Sequence, residues 1–123
     1  MNEPKQSTES TSTLFSIEFV NENARQELIT LPMSIRQRAF ALLDRMKIAG
    51  PNLGMPHTRP MGNGLFEIRA TGKEGIGRVM YCTFIGRRIV VLHCFVKKTQ
   101  KTPTKEIEIA LARMGELKNE QSN

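Results

Sequence analysis

Residues 64–103 read GLFEIRATGKEGIGRVMYCTFIGRRIVVLHCFVKKTQKTP, and this pattern predicts three consecutive antiparallel strands. In 65–70 the side chains alternate, Phe66, Ile68 and Ala70 toward a core and Glu67 and Arg69 away from it. A turn through Gly72, Lys73, Glu74 and Gly75 leads to a strand over 77–84. Gly86-Arg87 suits a hairpin turn, because glycine accepts the positive φ that such turns need. Residues 89–95 are apolar on both faces, as in a central strand.

On the N-terminal side, 14–20 alternates as a half-buried strand, and Asn21 is placed to cap a short helix marked by Ala24, Leu28 and Leu31 and stopped near Pro32. Ile35, Ala39, Leu42, Leu43 and Met46 recur at helical spacing and predict a helix over 33–49, ended by Gly50-Pro51. Residues 50–64, with three prolines and four glycines, read as a long loop of the kind that carries function. Thr102-Pro103 reads as N-cap and first helical residue of a last helix running to about 117 with Ile107, Ala110, Leu111 and Met114 inward. The order β-α-α-β-β-β-α predicts an α+β domain over 14–117, an antiparallel sheet with helices packed on it. The Ser/Thr-rich segment 1–13 is expected to be disordered and 118–123 to be a polar tail.

The chain of 123 residues has a net charge of +6. Residues 57–101 carry nine Lys/Arg against Glu67 and Glu74, so the excess is concentrated there. Such a field points to a polyanionic partner. The longest apolar run, 89–96, contains His93 and is far too short to span a bilayer. The N-terminus has no basic start followed by an apolar stretch, and a cytoplasmic location is expected. No Cys/His set has metal-ligand spacing, so no metal or cofactor is expected.

Register sharpens the charge argument. With one turn centred on Lys73-Glu74, Arg69 falls opposite Arg78 on one face; like charges so opposed destabilise a sheet, and a bound phosphate would offset that cost. With the next turn centred on Gly86-Arg87, Arg78 faces Phe95, and Lys97 follows on the same face with Lys98 beside it. Arg69, Arg78, Lys97 and Lys98 are therefore the candidate catalytic set, able to hold an RNA phosphate and stabilise a five-coordinate phosphorus while the neighbouring 2′-OH attacks. His57, Arg59, Lys73 and Lys101 are candidate RNA contacts. Solvated surface charge is the competing reading of the same residues. The same register pairs Cys82 with Val91 and Cys94 with Val79, so two buried free thiols are expected. His93 reads first as a packed, hydrogen-bonded core residue and second as a catalytic one.

From GLFEIR, through Gly77, Arg78, Val79 and Tyr81, to FVKKTQKTP and the helix after it, the chain resembles the RelE/ParE superfamily of bacterial toxins, nearest its HigB-like, phage-associated branch. The resemblance implies a small α+β RelE-like fold. It implies the toxin of a type II toxin-antitoxin module that enters the ribosome and cleaves mRNA, restrained by a cognate antitoxin, commonly a helix-turn-helix protein. It maps the basic site onto Arg69, Arg78 and either Lys97 or Lys98. The tyrosine that RelE-type members carry after the last strand is replaced near Pro103 and Thr104, which leaves Lys101 as a fallback proton acceptor. ParE-like relatives inhibit DNA gyrase without cutting RNA, and some phage-associated members are accessory interaction proteins; both stand as alternatives.

Overall fold

The computed structural model describes residues 14–97 and 101–122. The segment 1–13, with its expected disorder, and Lys98 lie outside the described residues. The elements are β1 (Ser16–Phe19), α1 (Glu22–Ile29), α2 (Met33–Ala49), β2 (Thr58–Gly62), β3 (Leu65–Gly72), β4 (Gly75–Phe84), β5 (Arg88–Lys97) and α3 (Thr104–Ser122). The class is α+β, as expected; the described residues form three helices and one five-stranded sheet in the order β1-β5-β4-β3-β2, mixed rather than wholly antiparallel.

The meander of β3, β4 and β5 is antiparallel, and β1 joins it parallel to β5. β2 is a short edge strand within the proline- and glycine-rich segment, antiparallel to β3. Composition hides it: Pro60 and Gly62 are poor strand formers, and edge strands tolerate them because one side of their backbone needs no partner. α3 runs past residue 117 into the segment expected to be a polar tail.

Each face of the sheet has its own core. On one, Leu28 of α1 and Ile35, Ala39, Leu42, Leu43 and Met46 of α2 pack on Ile68, Ala70, Val79, Tyr81 and Val91. On the other, Ala110, Met114 and Leu117 of α3 cover Leu65, Met80, Cys82, Val90 and Leu92. Cys82 and Cys94 are buried free thiols in separate clusters, as expected.

Local chemistry accounts for the element ends. Asn21 Oδ1 accepts from Ala24 N–H at 2.8 Å and caps α1. Gly50, at φ 98°, ends α2 with its N–H on Met46 O. Gly72 lets the start of α2 approach β3, since a Cβ there would stand 2.7 Å from the backbone nitrogen of Ile35. At the start of α3, Pro103 O accepts from Glu106 and Ile107 N–H. Pro103 thus lies just outside the helix, and Thr102 is no N-cap; its hydroxyl serves the site described below.

The expected pairings Arg69↔Arg78, Arg78↔Phe95 and Val79↔Cys94 all occur. Cys82 pairs with Val90 rather than Val91. A bulge lies between Met80↔His93 and Tyr81↔Val91, leaving Leu92 as the extra residue on β5 and shifting the register beyond it. Among the described residues no helix is long and apolar enough to cross a membrane.

Candidate functional site

The site begins with alternation. Because side chains two apart share a face, Glu67 and Arg69 on β3 emerge on the α3 side, and cross-strand pairing brings Arg59 of β2 beside Glu67 and Arg78 of β4 beside Arg69. One more step of the β2–β3 register sets His57 opposite Arg69, whose N–H donates to His57 O at 2.8 Å. Lys97 pairs with Ile76, the residue two before Arg78, and so falls on the same face.

Glu67 is the centre of this group. It lies away from the α1/α2 core, as expected, yet it is only 1 % exposed: Arg59, Arg78 and Thr102 enclose it on the other face. A buried carboxylate is costly unless every lone pair is engaged. Glu67 Oε1 accepts from Arg78 Nη1 and from Arg59 Nε, both at 3.1 Å. Oε2 accepts from the Thr102 hydroxyl at 2.7 Å, and that hydroxyl in turn accepts from Lys97 Nζ at 3.3 Å. One carboxylate is therefore shared among three cations, and Arg69 stands beside them, so the cluster keeps a surplus of positive charge.

Two cations show the strain of that surplus. Burial works against the charged form of Arg78; Glu67 supports it, and Arg69 and Arg59 oppose it, so its pKa falls below the usual arginine range. Lys97 is lowered likewise, by burial first and then by Arg78, with Glu67 acting the other way. Arg78 is 3 % exposed, and its Nε is buried with no hydrogen-bond partner. A buried guanidinium N–H without a partner is costly and rare in a folded chain.

Arg78 also lines a pocket of about 60 Å³, together with Glu67, Arg59, Arg69 and His57. A second cleft of about 340 Å³ adjoins it, lined by Arg38, Pro56, His57, Arg69 and Thr71. The donors converging here suit an oxyanion with a bulkier group attached. Among the described residues no cluster of His, Cys, Asp or Glu is arranged to hold a metal ion.

The structure thus brings together Arg69, Arg78 and Lys97, with His57 and Arg59 at the rim. Lys73 stands apart in the β3–β4 turn, its N–H on Ser34 Oγ at 2.7 Å, and lines neither cavity. Lys101 is exposed in the segment leading to α3. Arg87 and Arg88, which swell the local charge in the sequence, lie at the far end of the sheet. Arg88 is bound to Glu18 at 2.7 and 2.9 Å, and Arg87 lies over the ring of Phe15.

His93 is the core residue of the first reading. Its Nδ1 meets Glu27 Oε1 at 2.8 Å and its Nε2 meets Glu106 Oε1 at 2.5 Å, while its ring stacks on Phe95. Arg113 closes the group with two bonds of 3.0 Å to Glu27. This network ties α1, β5 and α3 together, and both ring nitrogens are occupied.

Glu67, Thr102 and Arg38 carry no signal of their own in the sequence. Glu67 had one indirect sign, as the only acid between Arg59 and Arg69.

Residues 26–115, a span that contains every residue of the site, match the family model described as phage derived protein Gp49-like (DUF891). No curated protein matches the chain.

Proposed function

The chain belongs to the Gp49-like family of phage-derived proteins, a toxin-like family of the RelE/ParE type, and from that premise we propose that it is the toxin of a type II toxin-antitoxin module, in the HigB-like branch, acting as a ribosome-dependent mRNA endonuclease. The observation that carries the reading is the opposed pair Arg69 and Arg78, both lining one cation-rich pocket.

In this mechanism the scissile phosphate enters the pocket and takes bonds from Arg78 and Arg69. Guanidinium forks match phosphate oxygens in geometry and hold their charge at all working pH. As the 2′-OH attacks, charge builds on the non-bridging oxygens. Donors fixed in advance around them lower the barrier without rearranging. The cations supply the electrostatic role that a metal plays in other nucleases. Glu67, braced by Thr102, keeps the Arg78 and Arg59 side chains in place, and Lys97 adds charge from beneath. The products are a 2′,3′-cyclic phosphate and a 5′-hydroxyl end. The partners of this reading are the ribosome with its mRNA, and a cognate antitoxin, most simply a helix-turn-helix protein, that blocks the cleft; its place of action is the cytoplasm.

The test is a cell-free translation reaction with end-labelled mRNA. Added toxin is expected to shorten the mRNA during translation, leaving 5′-hydroxyl ends, and Arg69→Ala to leave it whole. Arrested translation on intact mRNA would overturn the nuclease reading.

A further inference from the structure

We infer that the cleft between Arg38 and Arg69 takes the nucleoside whose 2′-hydroxyl attacks, and that His57 accepts the proton of that hydroxyl; both assignments rest on the nuclease reading above. The two cavities join. They share three residues, Pro56, His57 and Arg69, and the larger one adds Arg38 and Thr71. The smaller, at about 60 Å³, has room for a phosphoryl group but not for a nucleoside. The larger, at about 340 Å³, reaches the lower end of the range for small-molecule sites, about 300–1,000 Å³.

The cleft's chemistry matches one kind of group. Pro56 offers an apolar surface for a base, Thr71 a hydroxyl, and Arg38 and Arg69 cations for flanking phosphates. A ribose joins its base to its own 3′-phosphate. With the phosphate on Arg78 and the base in the cleft, that ribose has to cross the wall that the cavities share, and His57 is on that wall.

The backbone of His57 is held in place: its amide N–H donates to Gly54 O at 2.9 Å, its carbonyl accepts from the Arg69 amide, and the Thr58 amide bonds back to Gly54 O at 3.0 Å. Imidazole is the side chain whose ordinary proton affinity suits this task near neutral pH. His93 cannot serve, since carboxylates hold both its nitrogens. In the step, the 2′-oxygen gives its proton to His57 and forms the O2′–P bond. The P–O5′ bond breaks, and the departing 5′-oxygen takes a proton from water. The hydroxide so formed recovers the proton from His57.

The test is calorimetric titration of the full chain with inorganic phosphate and with a 2′-deoxynucleoside 3′,5′-bisphosphate, which cannot be cut. The bisphosphate is expected to bind about tenfold tighter than phosphate; Arg38→Ala is expected to remove that advantage and leave phosphate affinity unchanged. A bisphosphate no tighter than phosphate, or an Arg38→Ala chain that keeps the advantage, overturns the cleft assignment while the oxyanion pocket stands. Failure of both anions to bind overturns the cleft and the nuclease reading together. For the second assignment, His57→Gln is expected to keep bisphosphate affinity and to lower mRNA cleavage about 100-fold, with loss of the acid limb of the pH profile. Undiminished cleavage by H57Q overturns it.

Discussion

Arg69 stands directly opposite Arg78 across β3 and β4, and Glu67, the carboxylate of that face, is engaged by Arg78, Arg59 and Thr102. The two arginines therefore hold different positions in one site. Arg78 is buried and bound to Glu67, whereas Arg69 is only half-buried.

Substitution separates those roles. Arg69→Ala is expected to abolish toxicity on induction while the melting temperature stays close to that of the parent chain. Arg78→Ala is expected to abolish toxicity and also to cost about 3–5 kcal/mol of stability, because it strips a buried carboxylate of its main partner. Thermal denaturation beside a growth assay checks both; equal destabilisation by the two variants would contradict this division.

Thr102 links the start of α3 to the site through its 2.7 Å bond to Glu67 and its 3.3 Å bond from Lys97. Thr102→Val keeps the shape and removes the hydroxyl, leaving Glu67 Oε2 short of a donor. A loss of about 1–3 kcal/mol is expected by urea denaturation, with recovery in Thr102→Ser.

The start of α2 comes close to β3 at Gly72. A methyl group there would meet Ser34 Oγ and the backbone of Ile35, which cannot swing aside as a flexible side chain could. Gly72→Ala is expected to destabilise by about 1–3 kcal/mol through overpacking, measured by the same denaturation.

The Glu27–His93–Glu106–Arg113 network gives the fold an acid-sensitive joint. Burial acts to raise the Glu27 pKa, but bonds from Arg113, the Cys94 N–H and His93 outweigh it and hold the carboxyl below its ordinary value of 4.5. A carboxylate depressed in the folded state binds fewer protons there than in the unfolded chain. Its stabilisation is therefore full above 4.5 and is lost as pH falls through the lowered folded value. Denaturation midpoints are expected to fall on acidification below that point, and to fall less steeply in Glu27→Gln.

Much of this was legible in the residues, for physical reasons. The 33–49 helix announces itself because five apolar side chains keep strict helical spacing up to a glycine stop. The Arg69–Arg78 pairing could be placed because glycines bracket a short turn and fix the register. Alternation put Glu67 on the right face but could not show its burial, because alternation tells only the face, and one of the groups that enclose it there, Thr102, comes 35 residues later in the chain. β2 was hidden by its own composition, and the bulge at Leu92 leaves no mark in a run that is apolar but for His93. Arg38 joins the cleft only through the packing of α2 at the edge of β3.

The most direct test of the central claim, that the arginine-lined pocket holds and cuts an RNA linkage, is transcriptome-wide mapping of RNA 5′ ends shortly after induction. The account expects new 5′-hydroxyl ends within translated reading frames for the parent chain and none for Arg69→Ala. Growth arrest with intact mRNA, or cleavage that persists in Arg69→Ala, would contradict it.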